Sequence, residues 1–281
     1  MKVASIAVLS ALVLMGCGPD RGRDSGALLD AYGLQATTNG TADTDAAIRI
    51  ANALLAKGSP RLQGVWSART FDPAAVIPVY LVGDRNLTPA DLAFVTPFCE
   101  AIALQNPPFQ AWVRSLSDSD GPQVEPAAMT AFVLLHELGH LKSHDCGRKF
   151  VADNHGALND QTNADKAQEF AADGVAVAAV RTATQYGSLD AKVAAGRVEM
   201  ALATASFYVA GRRIVASPGA VLLGSPAVFW DIGFTHPNFE WRLLKVNDLL
   251  NSSEVTQKLL ADFEAGRAQG EQPLYVAPSK P

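Results

Sequence analysis

The chain has 281 residues, 48% of them hydrophobic, enough to bury a sizeable core in one large domain or two small ones. Its net charge of −5 gives no electrostatic case for a nucleic-acid partner.

In chain order, Lys2 precedes an apolar run from Val3 to Met15 and then Gly16-Cys17. That is the layout of a secretory signal, and the run is too short to be read first as a membrane span. Leu14-Met-Gly-Cys17 resembles the lipobox of bacterial lipoproteins, although Met15 is not the usual residue there. The resemblance implies that Cys17 is lipidated and becomes the mature N-terminus. An ordinary cleaved signal with an incidental cysteine is the alternative. Gly18, by the same resemblance, implies the outer membrane, facing the periplasm. Residues 1–16 are therefore expected as the signal, 17–41 as a polar, Gly-rich tether, 42–270 as the folded domain and 271–281 as a frayed Pro-rich tail. In an oxidising compartment Cys99 and Cys146 could be bridged, which would pin the segments that carry them. A Cys146 thiolate serving as a metal ligand competes with that reading.

Ala42 to Lys57 has helical spacing and is stopped by Gly58-Ser-Pro60. Val76-Ile-Pro-Val-Tyr-Leu-Val82 reads as a strand whose proline suggests an edge or an end. Thr88-Pro-Ala-Asp91 looks like a helix start. Ala101–Leu104 and Phe109–Val113, separated by Asn106-Pro-Pro108, are expected as two antiparallel strands.

Met129 to His144 then reads as one helix, with Pro126 in its first turn and Gly147 just past its end. His136 and His140 are four apart, so both imidazoles leave the same face within reach of one metal ion. Glu137 follows the first, as the His-Glu-x-x-His pattern of zinc hydrolases requires. In that pattern the histidines hold Zn²⁺ and the carboxylate takes a proton from the zinc-activated water. Phe132, Val133, Leu134, Leu135, Leu138 and Leu141 surround the trio, so the helix should be buried, where unsatisfied polar groups are costly. Two hydrogen-bonded core histidines with Glu137 at the surface is the competing reading.

A helix from about Ala164 to Tyr186, capped by Thr162 or Asn163, carries the candidate third ligand, Glu169. Asp165, Glu169 and Asp173 share one face at i, i+4 and i+8, an arrangement that is repulsive unless a cation lies nearby. A solvated acidic face is the alternative. The small residues Ala171, Ala172, Gly174, Ala176, Ala178 and Ala179 suggest close packing against the motif helix at Gly139. Asp173, one turn beyond Glu169, can accept a hydrogen bond from a ligand histidine and hold its tautomer. Asp190 to Ala216, Phe239 to Leu250 and Glu254 to Gln269 are expected as further helices. Val215 to Phe234 is apolar but broken by Pro and Gly, a buried or lid-like loop rather than a bilayer span.

His-Glu-Leu-Gly-His followed by Glu-Phe-Ala-Ala-Asp resembles the gluzincins, whose third zinc ligand is the Glu of a Glu-x-x-x-Asp helix. Among them it is most similar to the group of the CAAX prenyl protease and the heat-shock peptidase HtpX, and the phage-exclusion peptidase Lit is similar too. That group carries a His-Pro motif followed by an Arg, and Thr235-His-Pro-Asn-Phe-Glu-Trp-Arg242 fits it. Glu100-Ala-Ile-Ala-Leu104 is faintly similar to the family's strand before the active helix, with Glu100 where Asn is usual. The resemblance covers roughly residues 98–245 and lacks the transmembrane helices of the integral members. Ser143 and Cys146 stand where a metzincin needs Gly and His, which excludes that class.

The resemblance implies an α+β fold, a helix-rich zincin-like metallopeptidase domain with a small β-sheet. It implies one Zn²⁺ per chain on His136, His140 and Glu169, with Glu137 as general base. Asp173 and Arg242 would stand behind these ligands, and His236 would either donate to the oxyanion or order its own loop. A strand ahead of the active helix would either add a polypeptide substrate to its edge or be a plain core hairpin. His144 is a rival ligand or a surface residue, and His155 is expected to be solvated. The expected activity is peptide-bond hydrolysis of envelope polypeptides, on a membrane reached through the lipid anchor. A metal-binding but inactive lipoprotein serving as scaffold or chaperone is the alternative.

Overall fold

The computed structural model describes residues 40–67, 75–82, 93–95, 99–105, 108–116, 121–144, 160–215 and 239–270. It also describes the two-residue strands Arg23–Asp24, Thr70–Phe71, Val228–Phe229 and Tyr275–Val276. Cys17, Cys146, His155, His236 and the expected helix start at Thr88 lie outside the described residues, as does most of Val215–Phe234.

Helix α1, Ala42–Leu54, begins at a reciprocal cap. The Thr41 hydroxyl accepts from the Thr44 amide at 3.1 Å, and the Thr44 hydroxyl accepts from the Thr41 amide at 2.9 Å. Ala47, Ile50, Ala51 and Leu54 supply its buried face. Asn52 on the same helix grips β1, Arg61–Gly64, donating to the Leu62 carbonyl and accepting from the Leu62 amide, both at 2.8 Å.

Three further strands complete a mixed sheet: β2 Val76–Val82, β3 Ala93–Val95 and β4 Ile102–Gln105, in the order β1-β2-β4-β3. β1, β2 and β4 are parallel, and β3 is an antiparallel edge on β4. Pro78 thus sits in a strand with a neighbour on each side, yet it faces only β1, because β4 pairs with β2 from Val79 onward. The proline occupies the one-sided half, where a missing amide costs no ladder bond. Alternation divides the buried residues between the two faces: Val79, Leu81, Ile102 and Leu104 join the main core, while Tyr80, Val82 and Ala103 pack on the other side.

The expected second strand at Phe109–Val113 is instead helix α2, Pro108–Arg114. Pro108 suits a first helical position, and Phe109, Trp112 and Val113 recur at i, i+3 and i+4, a helical period rather than a strand's. The strand that pairs antiparallel with Ile102–Gln105 is Ala93–Val95.

Four long helices follow after β4 and α2: α3 Pro126–Ser143, α4 Asp160–Tyr186, α5 Leu189–Val215 and α6 Phe239–Leu250, with α7 Glu254–Gly270 closing the chain. α3 lies at the centre, packed on α1, α4 and α5 and against β3. It is buried at nearly every position from Ala127 to Leu141. It stops earlier than the Gly147 signal suggested: His144 adopts the left-handed conformation, φ 54°, and its amide bonds the His140 carbonyl. α4 begins at Asp160, so Thr162 and Asn163 lie inside its first turn rather than at the cap. Glu125, just ahead of α3, is tied to α5 by hydrogen bonds from Arg197.

Cys99 is disulfide-bonded. Two of the short ladders pair Arg23–Asp24, in the expected tether, with Thr70–Phe71, and Val228–Phe229 with Tyr275–Val276 of the expected tail. The described part is therefore helix-rich with one small mixed sheet, an α+β architecture. Among the described residues no helix is long and apolar enough to cross a membrane.

Candidate metal centre

The site lies where α3 crosses α4. Gly139 makes the crossing possible: a Cβ built there would stand 2.6 Å from the Cα of Ala172 and 2.9 Å from its Cβ. The two backbones meet at this point because neither residue holds them apart. Of the small residues on α4 only Ala172 and Ala176 are buried among those expected to pack; Ala171, Gly174 and Ala178 are exposed, and Gly174 meets nothing. The contact is a stripe along one face. Glu169 and Asp173 flank Ala172 on that stripe, so the close approach delivers both carboxylates to the histidine face of α3.

His136, His140 and Glu169 form a buried group that can hold a metal ion, their ligand atoms all within 4.8 Å of one another. His136 Nε2 and His140 Nε2 are 3.0 Å apart, His136 Nε2 is 3.2 Å from Glu169 Oε2, and His140 Nε2 is 3.3 Å from Glu169 Oε1. Ligand atoms at zinc-bond lengths in a tetrahedral site are separated by about 3.3 Å, so the triangle matches one ion's coordination sphere. Two imidazole nitrogens and a carboxylate oxygen are also a donor set that zinc accepts. The donor set and its spacing both fit.

Asp173 and Arg242 complete the cluster. Asp173 Oδ1 lies 2.9 Å from His136 Nδ1. Arg242, from α6, grips Asp173 with both arms, Nε to Oδ2 at 2.9 Å and Nη2 to Oδ1 at 2.8 Å, and reaches Glu169 Oε2 with Nη1 at 3.0 Å. With its Nδ1–H donating to Asp173, a neutral His136 carries its lone pair on Nε2, the tautomer a metal ligand needs. Arg242 thus pairs with Asp173 and Glu169 at once, behind the histidine pair.

The electrostatics are those of a charge-dense buried site. Burial and the Arg242 charge press the His136 pKa down, but hydrogen bonds to Asp173 and Glu169 outweigh them and raise it to about 9. Burial would lift Asp173, yet the Arg242 charge and the His136 hydrogen bond bring its pKa down to about 2. Burial opposes the Arg242 charge, and the Asp173 and Glu169 carboxylates hold its pKa above the usual arginine value, with Glu137 adding to the pull. With His136 neutral, as a metal ligand must be, the buried carboxylates outnumber the single guanidinium, and a divalent cation offsets that excess.

Glu137 is buried on α3 beside His136 rather than at the surface. His144 is exposed at the helix cap and stands outside the metal group. The Asp165 side chain lies outside the described residues. Sequence reading missed the aromatic clamp that seats α6: Phe170, next to Glu169, meets Trp241 edge-on at 5.0 Å, and Lys245 Nζ lies 4.7 and 4.3 Å from their ring centroids. The spacing of Trp241 and Lys245, one turn apart, was the available signal. The clamp holds Arg242 over α4.

Searches against protein-family models, curated proteins and solved structures found no match for this chain.

Proposed function

We propose that the protein is a zinc-dependent endopeptidase acting on cell-envelope polypeptides. The observation that carries this reading is the convergence of His136, His140 and Glu169 with a second buried carboxylate, Glu137, on the same helix as the histidines. The sequence resemblance to gluzincins supports the class.

His136 and His140 would hold the ion through Nε2 and Glu169 through its carboxylate. Bound there, zinc would polarise the scissile carbonyl and make a water nucleophilic at neutral pH. Glu137 takes the proton from the attacking water and passes it to the leaving amine. Asp173 keeps the His136 ring in place, and Arg242 pairs with Asp173 and Glu169 and orients both carboxylates. His236 is proposed as a donor to the developing oxyanion. The proposed setting is the periplasmic face of the outer membrane, with Cys17 as the lipid attachment.

The test is zinc stoichiometry and cleavage of an unfolded casein-like substrate by wild type, Glu169→Ala and Glu137→Gln. Wild type should carry one zinc and cleave. Glu169→Ala should lose the metal, and Glu137→Gln should keep zinc while losing on the order of 10²–10⁴-fold in rate. A wild type that retains less than about 0.2 zinc per chain, or a Glu137→Gln protein that cleaves normally, rules the proposal out.

A further inference from the structure

Helix α5 has two opposite faces of different kinds. Ala191, Ala195, Val198 and Leu202 lie in the core, toward α1, α3 and α4. The face turned directly away carries Leu189, Val193, Gly196, Met200, Ala203 and Phe207, spaced 4, 3, 4, 3 and 4 residues apart. Leu189 is 77% and Met200 69% exposed, Val193 and Phe207 are exposed as well, and a Cβ at Gly196 would meet nothing. A heptad seam of this kind, with small residues between large ones, is the pattern by which one helix packs along another. Among the described residues it is an apolar strip without a structural task.

The charges beside the strip identify what covers it. Lys192 and Glu199 flank one side and Asp190 and Arg197 the other. When the same helix is laid against itself antiparallel, with the two-fold axis between residues 194 and 195, Leu189 faces the partner's Met200 and Val193 faces the partner's Gly196. In that register Lys192 falls opposite the partner's Glu199, and Asp190 falls opposite the partner's Arg197. Each pairing occurs twice by symmetry. Sliding one helix past the other by a full heptad, which moves the axis to residue 198, brings Glu199 against the partner's Glu199 and Arg197 against the partner's Arg197. A parallel pairing sets Lys192 beside the partner's Arg197. Like charges penalise both alternatives, so one arrangement is selected.

We propose that this face of α5 docks a second copy of the chain, antiparallel, forming a two-fold symmetric dimer. Thr184 donates to Glu199 at 2.9 Å and fixes that carboxylate on the docking face. Arg197 is already engaged by Glu125 of its own chain, so Lys192 and Glu199 set the register.

The test is sedimentation equilibrium of the purified full chain at micromolar concentration, with thermal melts as a folding control. All variants keep the same N-terminus, so association through that end is common to them. Wild type should be a dimer and Met200→Glu a folded monomer that still melts in one cooperative step, at the temperature to which wild type falls on dilution, because Met200 is exposed in the single chain. Lys192→Glu and Glu199→Lys should each weaken dimerisation about tenfold, and the double exchange should restore it to within about threefold. A wild type that stays monomeric at about 100 µM, whether or not it binds phospholipid vesicles, overturns the proposal. So does a double exchange that remains as weak as the single variants.

Discussion

α3 and α4 meet at the candidate metal centre, yet they carry its residues in opposite ways. α3 is buried almost all round, so burial alone does not distinguish His136, Glu137 and His140 from the leucines beside them. What distinguishes them is chemistry: three polar groups inside an apolar helix, at a spacing that serves one ion. α4 mixes polar and small residues and is exposed along one side, where three acids one turn apart would pass for a solvated face. What singles out Glu169 and Asp173 is burial, on the one stripe that also contains Ala172, Ala176 and Val180. A polar group in a core and a buried acid on a surface helix are the same anomaly reached from two sides. Each is tolerable because the other is present.

This contrast can be broken or sharpened by substitution. The largest effect should come from the crossing itself: Gly139→Leu must drive α3 from the Ala172 backbone, costing several kcal/mol of overpacking and about all zinc binding. Melting temperature and zinc content measured together would show it, and a variant that melts and binds normally would refute the close-contact account. Next, Asp173→Asn keeps the shape but weakens the hold on the His136 tautomer and should reduce zinc affinity about 10–100-fold in a chelator competition.

Proton competition gives a graded effect. His136 is raised to about 9 in the metal-free fold, so below that pH a proton must leave before zinc binds. Zinc affinity should therefore rise about tenfold per pH unit from pH 7 and flatten near pH 9. The stability that the raised pKa lends the metal-free fold runs the other way: it is full below about pH 6.5 and fades as pH climbs through about 9. Melting curves with and without buffered zinc should diverge over that window. The smallest effect is a control on the exposed face of α4: Ala171→Gln should change stability by less than about 0.5 kcal/mol and leave zinc affinity unaltered.

Much of the site was legible because it is written in single helices. The pairs His136/His140 and Glu169/Asp173 each obey the 3.6-residue period, which puts them on one face whatever the rest of the chain does. The span of α6 follows in the same way from its apolar spacing, as does the start of α1. Where a local signal was read with the wrong period, as at Phe109–Val113, the helix was there in the spacing of Phe109, Trp112 and Val113. The end of α3 fell within one residue of the expected His144, although a left-handed His144, not the glycine three residues on, makes the cap.

The sequence by itself determined which side chains share a helical face, since that depends only on the geometry of neighbouring residues. Only the tertiary structure decided that α3 and α4 cross at Gly139 and Ala172, that Asp173 serves His136, and that Arg242 arrives from far along the chain to bind both acids. Those outcomes depend on how distant segments pack against one another, and packing is a property of the whole core rather than of any stretch within it.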